Sequence, residues 1–213
     1  MADAASPKLE CFFDLTSPWS YLGVTGLRRL AERRGLAVVW RPVLVGGVFN
    51  VANEGLYGRR AAMMETPHMA AHYLKDLADW AAYHGVEITG APPGHPLRAV
   101  DFMRAAVAAD EMGALQAFMD AGFAAYWRDH RDISSRDVVA EIGGEAGLDP
   151  AALLARIDAP ECKGKLKAAA DELIARGGYG VPSIFVGETD MYFGQDRLPL
   201  VERALDRLAE ASA

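Results

Sequence analysis

Leu9-Glu10-Cys11-Phe12-Phe13-Asp14-Leu15-Thr16-Ser17-Pro18-Trp19-Ser20-Tyr21 carries a short apolar run directly into an amphipathic helix. The run 9–15 suits a strand in the middle of a sheet. The helix is expected over 19–34, where Leu22, Gly23, Gly26, Leu27, Leu30 and Ala31 keep the spacing of one buried stripe. Arg28, Arg29, Glu32, Arg33 and Arg34 fall on the other side. Ser17 reads as the N-cap, Pro18 as the first helical residue and Gly35 as the stop. A hydroxyl at Ser17 lies at the positive end of a helix dipole, beside backbone N–H groups with no partner inside the helix. That setting favours an anion such as a bound thiolate. It is equally the setting of an ordinary helix cap, and the loop by itself leaves both readings open.

Gly180-Val181-Pro182-Ser183-Ile184-Phe185-Val186-Gly187, near the other end of the chain, is a Gly-X-Pro turn entering a β-branched and aromatic strand. It resembles the cis-proline loop that thioredoxin-like proteins pack against the start of their first helix. An X–Pro bond can be cis at modest cost. The backbone of Val181 would then be free to pair with an extended peptide, as an added strand does. A proline that merely opens a strand is the other reading.

The chain has 213 residues, 51% of them apolar, and a net charge of −7. It is long enough for one sizeable domain with an insertion, and extended disorder is not expected. The acidic balance argues against nucleic acid or an anionic membrane as a partner. No run reaches the length of a membrane span, because Arg41 interrupts the most apolar stretch, 36–51. Residues 1–8 carry no apolar signal core, so a cytoplasmic location is expected. The two cysteines, Cys11 and Cys162, form no Cys-x-x-Cys and no metal-type pairing. Cys11 reads as a small buried hydrophobe.

A second strand is expected over 36–43. Gly46, Gly47, Asn50, Asn53, Gly55 and Gly58 then mark a long loop. The middle is mostly helical, with stripes at Ala70, Tyr73, Leu74, Leu77 and Ala81, at Phe102, Met103, Ala106 and Val107, and at Leu115, Phe118, Met119, Gly122, Phe123 and Tyr126. Ala91-Pro92-Pro93-Gly94 breaks it once. Ser135 and Asp149-Pro150 read as helix starts, and Gly177-Gly178 as a stop. Strands at 181–186 and 191–193 follow, then a helix with Leu198, Val201, Leu205 and Leu208 on one face. The predicted fold is α/β and thioredoxin-like: residues 1–45 and 178–213 supply a βαβ half and a ββα half. Residues 46–177 form a loop and a large all-helical insertion between them.

Four segments together, Phe12-Phe13-Asp14-x-x-Ser17-Pro18-x-Ser20-Tyr21-Leu22, Asp76-Leu77-x-x-Trp80, Gly180-Val181-Pro182 and Gly194-Gln195-Asp196-Arg197-Leu198, give the chain a resemblance. It resembles the 2-hydroxychromene-2-carboxylate isomerases and kappa-class glutathione transferases, relatives of the disulfide-bond oxidoreductases. The resemblance implies glutathione as cofactor and Ser17 as the catalytic residue holding its sulfur as a thiolate. Pro18 and Trp19 would flank it, and Val181 would pair with the cysteinyl backbone. Gln195 and Asp196 would meet the γ-glutamyl end, and Asn53 would reach the peptide from the long loop. Asp196 as a helix cap and Asn53 as a turn residue stay open beside these roles. A lysine common in the family seven residues before the Asp-Leu pair is Met69 here, which shifts an anion contact to Arg59, Arg60 or His68. A homodimer follows from the resemblance alone.

The implied activity is glutathione-dependent isomerisation of a chromene carboxylate or another aromatic 2-oxo acid. A kappa-type transferase or peroxidase, and a thioredoxin-like binding protein without catalysis, are the alternatives. A disulfide oxidoreductase is disfavoured by the absence of any thiol on the loop. His68 and His72 have the spacing of two metal ligands but no third, and no metal is expected. Of Phe12, Trp19, Trp40, Trp80, Tyr126 and Trp127, which could wall an aromatic pocket, most are expected in the core. Trp19, on the turn itself, is the one expected at the pocket.

Overall fold

The structure, a computed structural model, describes residues 8–211. The expectation for the amino end therefore lies, apart from Lys8, outside the described residues. Strand β1 (Leu9–Phe13) leads to helix α1 (Pro18–Arg34) and strand β2 (Val38–Pro42). Helices α2 (Val45–Ala52), α3 (Leu56–Glu65), α4 (Pro67–His84), α5 (Val100–Glu111) and α6 (Leu115–Trp127) follow. Then come α7 (Arg136–Glu145), α8 (Pro150–Asp158) and α9 (Pro160–Ala175), strands β3 (Ser183–Val186) and β4 (Asp190–Phe193), a 3-10 turn over Gln195–Arg197, and α10 (Leu198–Ala211). The sheet order is β2-β1-β3-β4, with β1 and β2 parallel and the other two pairs antiparallel. This is the thioredoxin-like βαβ and ββα arrangement, with the helices from α2 to α9 between the halves.

β1 is buried throughout because both faces of the sheet are covered. Leu9, Cys11 and Phe13 enter the larger core with Leu27 of α1 and Phe102, Phe118 and Phe123 of the helical block. Phe12 turns to the other face, into a smaller core with Val45 and Val48 of α2, Leu173 of α9, Val181 and Phe185. Glu10 shares that side, is 1% exposed, and is held by Arg176 Nη1 at 2.9 Å and by Lys8 Nζ at 3.1 Å. Both cysteines are buried and unpaired, and burial pushes the Cys11 thiol far above its ordinary range.

The caps at Ser17, Gly35 and Asp149 form as expected, with Gly35 left-handed at φ 61°. Ser135 occupies an N-cap position but makes no side-chain cap bond. Two expectations fail. The long loop is instead α2 and α3, separated by a turn at residues 53–55. Gly46 and Gly47 do not break α2 because Val45 and Val48 pack on the sheet and outweigh their low propensity. Leu74, assigned to the buried stripe of α4, is 55% exposed, and that helix buries Leu77, Ala81 and His84 instead.

Candidate active site

The turn between β1 and α1 is built around the Asp14 carboxylate, which is buried. Its Oδ1 accepts from the Thr16 N–H and hydroxyl, both at 2.8 Å, and its Oδ2 accepts from the Val45 N–H at 2.9 Å. Burial pushes the Asp14 carboxyl up, and the hydrogen bonds from Val45 and Thr16 oppose that shift. The Val45 bond supplies α2 with the cap that Leu44, at its own N-cap position, cannot. The Asp14 carbonyl accepts from Ser17 N–H at 3.0 Å, and Trp127 Nε1–H donates to the Leu15 carbonyl at 3.0 Å. The loop is therefore fixed from α2 and from α6.

Ser17 Oγ accepts from the Ser20 N–H at 3.2 Å and caps α1. A serine hydroxyl has one donor proton and room for two accepted bonds. Among the described residues nothing takes the Ser17 proton. Ser20 is fully buried, and its Oγ accepts from Asp14 N–H at 3.3 Å.

Ser17 opens on a cavity of about 470 Å³ whose walls also include Trp19, Asn53, Arg60, His95 and Val181. Among the described residues, two arginines and no acidic side chain line it. Arg60 Nη2–H donates to the Tyr73 hydroxyl at 2.7 Å and its guanidinium lies over that ring. Among the described residues it has no carboxylate partner. Arg59 donates to the Glu54 carbonyl at 2.8 Å and to Asn53 Oδ1. Met69 is on the wall and His68 is not. A second cavity of about 590 Å³ shares Trp19 and Val181 and continues past Trp80 to Gln195 and Asp196.

Of the residues expected at the site, Ser17, Trp19, Asn53 and Val181 thus meet at the first cavity, and Gln195 and Asp196 at the second. Pro18 is buried in the first turn of α1 and lines neither cavity. The Val181-Pro182 bond is cis. Val181 is 6% exposed, and its backbone N–H and C=O make no hydrogen bond among the described residues. Gln195 is buried, with Oε1 3.3 Å from His84 Nε2. Asp196 is exposed and pairs with Arg197 at 2.8 Å, while Gly194 takes the N-cap position of the 3-10 turn. Asn53 is the C-cap of α2 and donates to the Tyr179 carbonyl at 3.4 Å, so it serves the turn and faces the cavity together.

Trp19 stands edge-on to Tyr73 with centroids 5.6 Å apart. Phe12, Trp40, Tyr126 and Trp127 are core residues, as expected. Trp80 is half-buried at the second cavity. Asp14 and His95 were not picked out as site residues from the sequence. His95 follows Ala91-Pro92-Pro93-Gly94, which reads only as a helix break, and a capping carboxylate 31 residues from its helix leaves no local signal. No group of three metal-ligating side chains occurs among the described residues. Among them no helix is long and apolar enough to cross a membrane.

Comparison with known proteins supports the same fold. A 2-hydroxychromene-2-carboxylate isomerase of Sphingobium xenophagum is 27% identical over 92% of this chain and 97% of its own length. Human glutathione S-transferase kappa 1 is 24% identical over 92% of this chain and 90% of its own. The solved structure of a 2-hydroxychromene-2-carboxylate isomerase superposes with a TM-score of 0.81 at 22% identity, covering 96% of this chain and 97% of the other. A probable DsbA oxidoreductase from Streptomyces coelicolor, at 20% identity over 94% of this chain and 89% of the other, gives 0.73. Residues 8–206 match the DSBA-like thioredoxin domain, and the chain belongs to that family.

Proposed function

We propose that the chain is a glutathione-dependent isomerase of an aromatic 2-oxo acid, of the 2-hydroxychromene-2-carboxylate type. The observation that carries this reading is the unused Ser17 proton at the N-terminus of α1, on a cavity with two cations and no carboxylate. That donor and the helix end favour a thiolate over a thiol. The residues fit the tripeptide at a second point, since the unpaired Val181 backbone can take an extended chain as a strand edge would. When bound, glutathione would supply a thiolate nucleophile suited to reversible addition at a conjugated carbon.

Ser17 stabilises the sulfur by donating a hydrogen bond from its hydroxyl, while its oxygen goes on accepting from the Ser20 N–H. Trp19 and Val181 line both cavities, where the peptide meets the second substrate. Asp196 offers a carboxylate to the γ-glutamyl ammonium, in exchange for its exposed pair with Arg197. Gln195 lines the same end, held in place by His84. Arg59, beside Asn53 on the same wall, takes the peptide's anion contact that Met69 cannot make. Isomerisation leaves glutathione unchanged. Incubation of the full chain with 2-hydroxychromene-2-carboxylate and reduced glutathione should give the ring-opened isomer with all the glutathione recovered. Consumption of glutathione would instead mark the kappa-type transferase named by two of the relatives.

A further inference from the structure

One part of the first cavity has no task in holding the peptide. His95 stands on the wall that also carries Arg60, in the segment between α4 and α5, with its backbone N–H donating to the Pro92 carbonyl at 3.0 Å. Its Nδ1 lies 2.8 Å from the Tyr126 hydroxyl of α6. Tyr126 is fully buried, and its oxygen also accepts from the Leu97 N–H at 3.4 Å. A phenol has one proton to give, and a backbone N–H cannot receive it. His95 Nδ1 is the acceptor that remains among the described residues. The neutral ring must then carry its own proton on Nε2. That nitrogen makes no hydrogen bond among the described residues, and it is not among the sealed-off polar atoms. Trp127, at a centroid distance of 5.3 Å, and Tyr126 flank the ring and fix its plane. Burial, aided by the nearby charge of Arg60, holds His95 down at about 4, so the ring is neutral near pH 7.

The same walls hold a fixed cation, Arg60, and the aromatic faces of Trp19, Phe49, Tyr57 and Tyr73. We propose that His95, oriented by Tyr126, is the neutral hydrogen-bond donor that takes a phenolic or carbonyl oxygen of an aromatic acid whose carboxylate pairs with Arg60. This rests on the preceding reading only for the reaction it would serve, because the binding chemistry comes from the walls alone. His95 is the catalytic residue of the pair and Tyr126 a positioning residue. The Tyr126 hydroxyl, pushed up to about 12, keeps its proton and stays a donor to Nδ1. His95 therefore stabilises charge that builds on the oxygen by donating a hydrogen bond, without passing a proton through the pair.

The test is titration calorimetry of the full chain with 2-hydroxycinnamate and with cinnamate, which differ by one oxygen. The wild-type chain should bind the hydroxy acid roughly 10-fold more tightly, the yield of one well-placed hydrogen bond. His95→Leu should bring that ratio to about 1 while moving cinnamate affinity by less than about 2-fold. Arg60→Ala should weaken both acids together, by roughly 10-fold, with the ratio kept. Tyr126→Phe should lower the ratio too, with melting curves recorded to separate that effect from lost stability. Equal affinity for the two acids in the wild type, a ratio kept in His95→Leu, or no binding of either acid would overturn the proposal. Parallel titration with reduced glutathione keeps the two readings apart. Failure of glutathione to bind would remove the isomerase while leaving the aromatic-acid site intact.

Discussion

At Ser17 the two roles suggested by the loop are not alternatives. The oxygen caps α1 by accepting from Ser20, and the proton is still unspent. The residue pattern alone could name the cap but not the free proton, because that depends on everything near the hydroxyl. The same holds for Arg60. Its charge is plain in the sequence, yet its lack of a carboxylate partner among the described residues is a property of the folded wall. Gln195 shows the converse: a residue matched by motif whose side chain is already engaged, with His84. His84 itself is held below its ordinary range, chiefly by burial, which the Gln195 bond opposes.

Between elements, the contact that places the site is that of α1 against the Val181-Pro182 turn. Gly23 makes it possible, since a Cβ there would lie 2.7 Å from Pro182 Cγ. Gly23→Ala should gain up to about 1 kcal/mol in helix propensity and lose more to the clash. The net result expected in denaturant unfolding is a loss of about 1–2 kcal/mol, with weakened glutathione binding as Val181 is displaced. Unchanged stability and binding would show that this contact gives freely. The elements with strong periodicity, α1, α6 and the β3 strand, were legible in the sequence because their apolar faces match their burial. α2 and α3 were not. Their glycines signal a loop locally, and in α2 the forces that override them come from the sheet beneath Val45 and Val48 and from the carboxylate of Asp14.

Across the whole molecule, the two neutral histidines couple folding to pH. His95 sits at about 4 in the folded chain against an ordinary 6.5, so between those values the unfolded chain binds more protons. Stability should fall as the pH drops through that window, and His84 adds a change of the same sign. Asp14, shifted upward, acts in the opposite sense just above 3.8, where the folded chain holds its proton longer. Melting temperatures of the full chain between about pH 7 and pH 5 should decline, and His95→Leu should flatten part of that decline. An identical slope in the variant would remove His95 from the balance. The architecture was readable from the two ends of the chain, since a βαβ pattern lies at one and a ββα pattern at the other. The cavity was readable only in part, because its walls come from segments far apart in sequence that converge only when folded. Ultraviolet titration of bound glutathione tests most directly whether that cavity holds a thiolate at Ser17. In the wild-type chain the thiol should titrate well below the free value of about 8.5, and in Ser17→Ala it should return toward that value. Turnover should drop on the order of 100-fold with it. A Ser17→Ala chain with the wild-type thiol titration and turnover would contradict the account and leave Ser17 a helix cap alone.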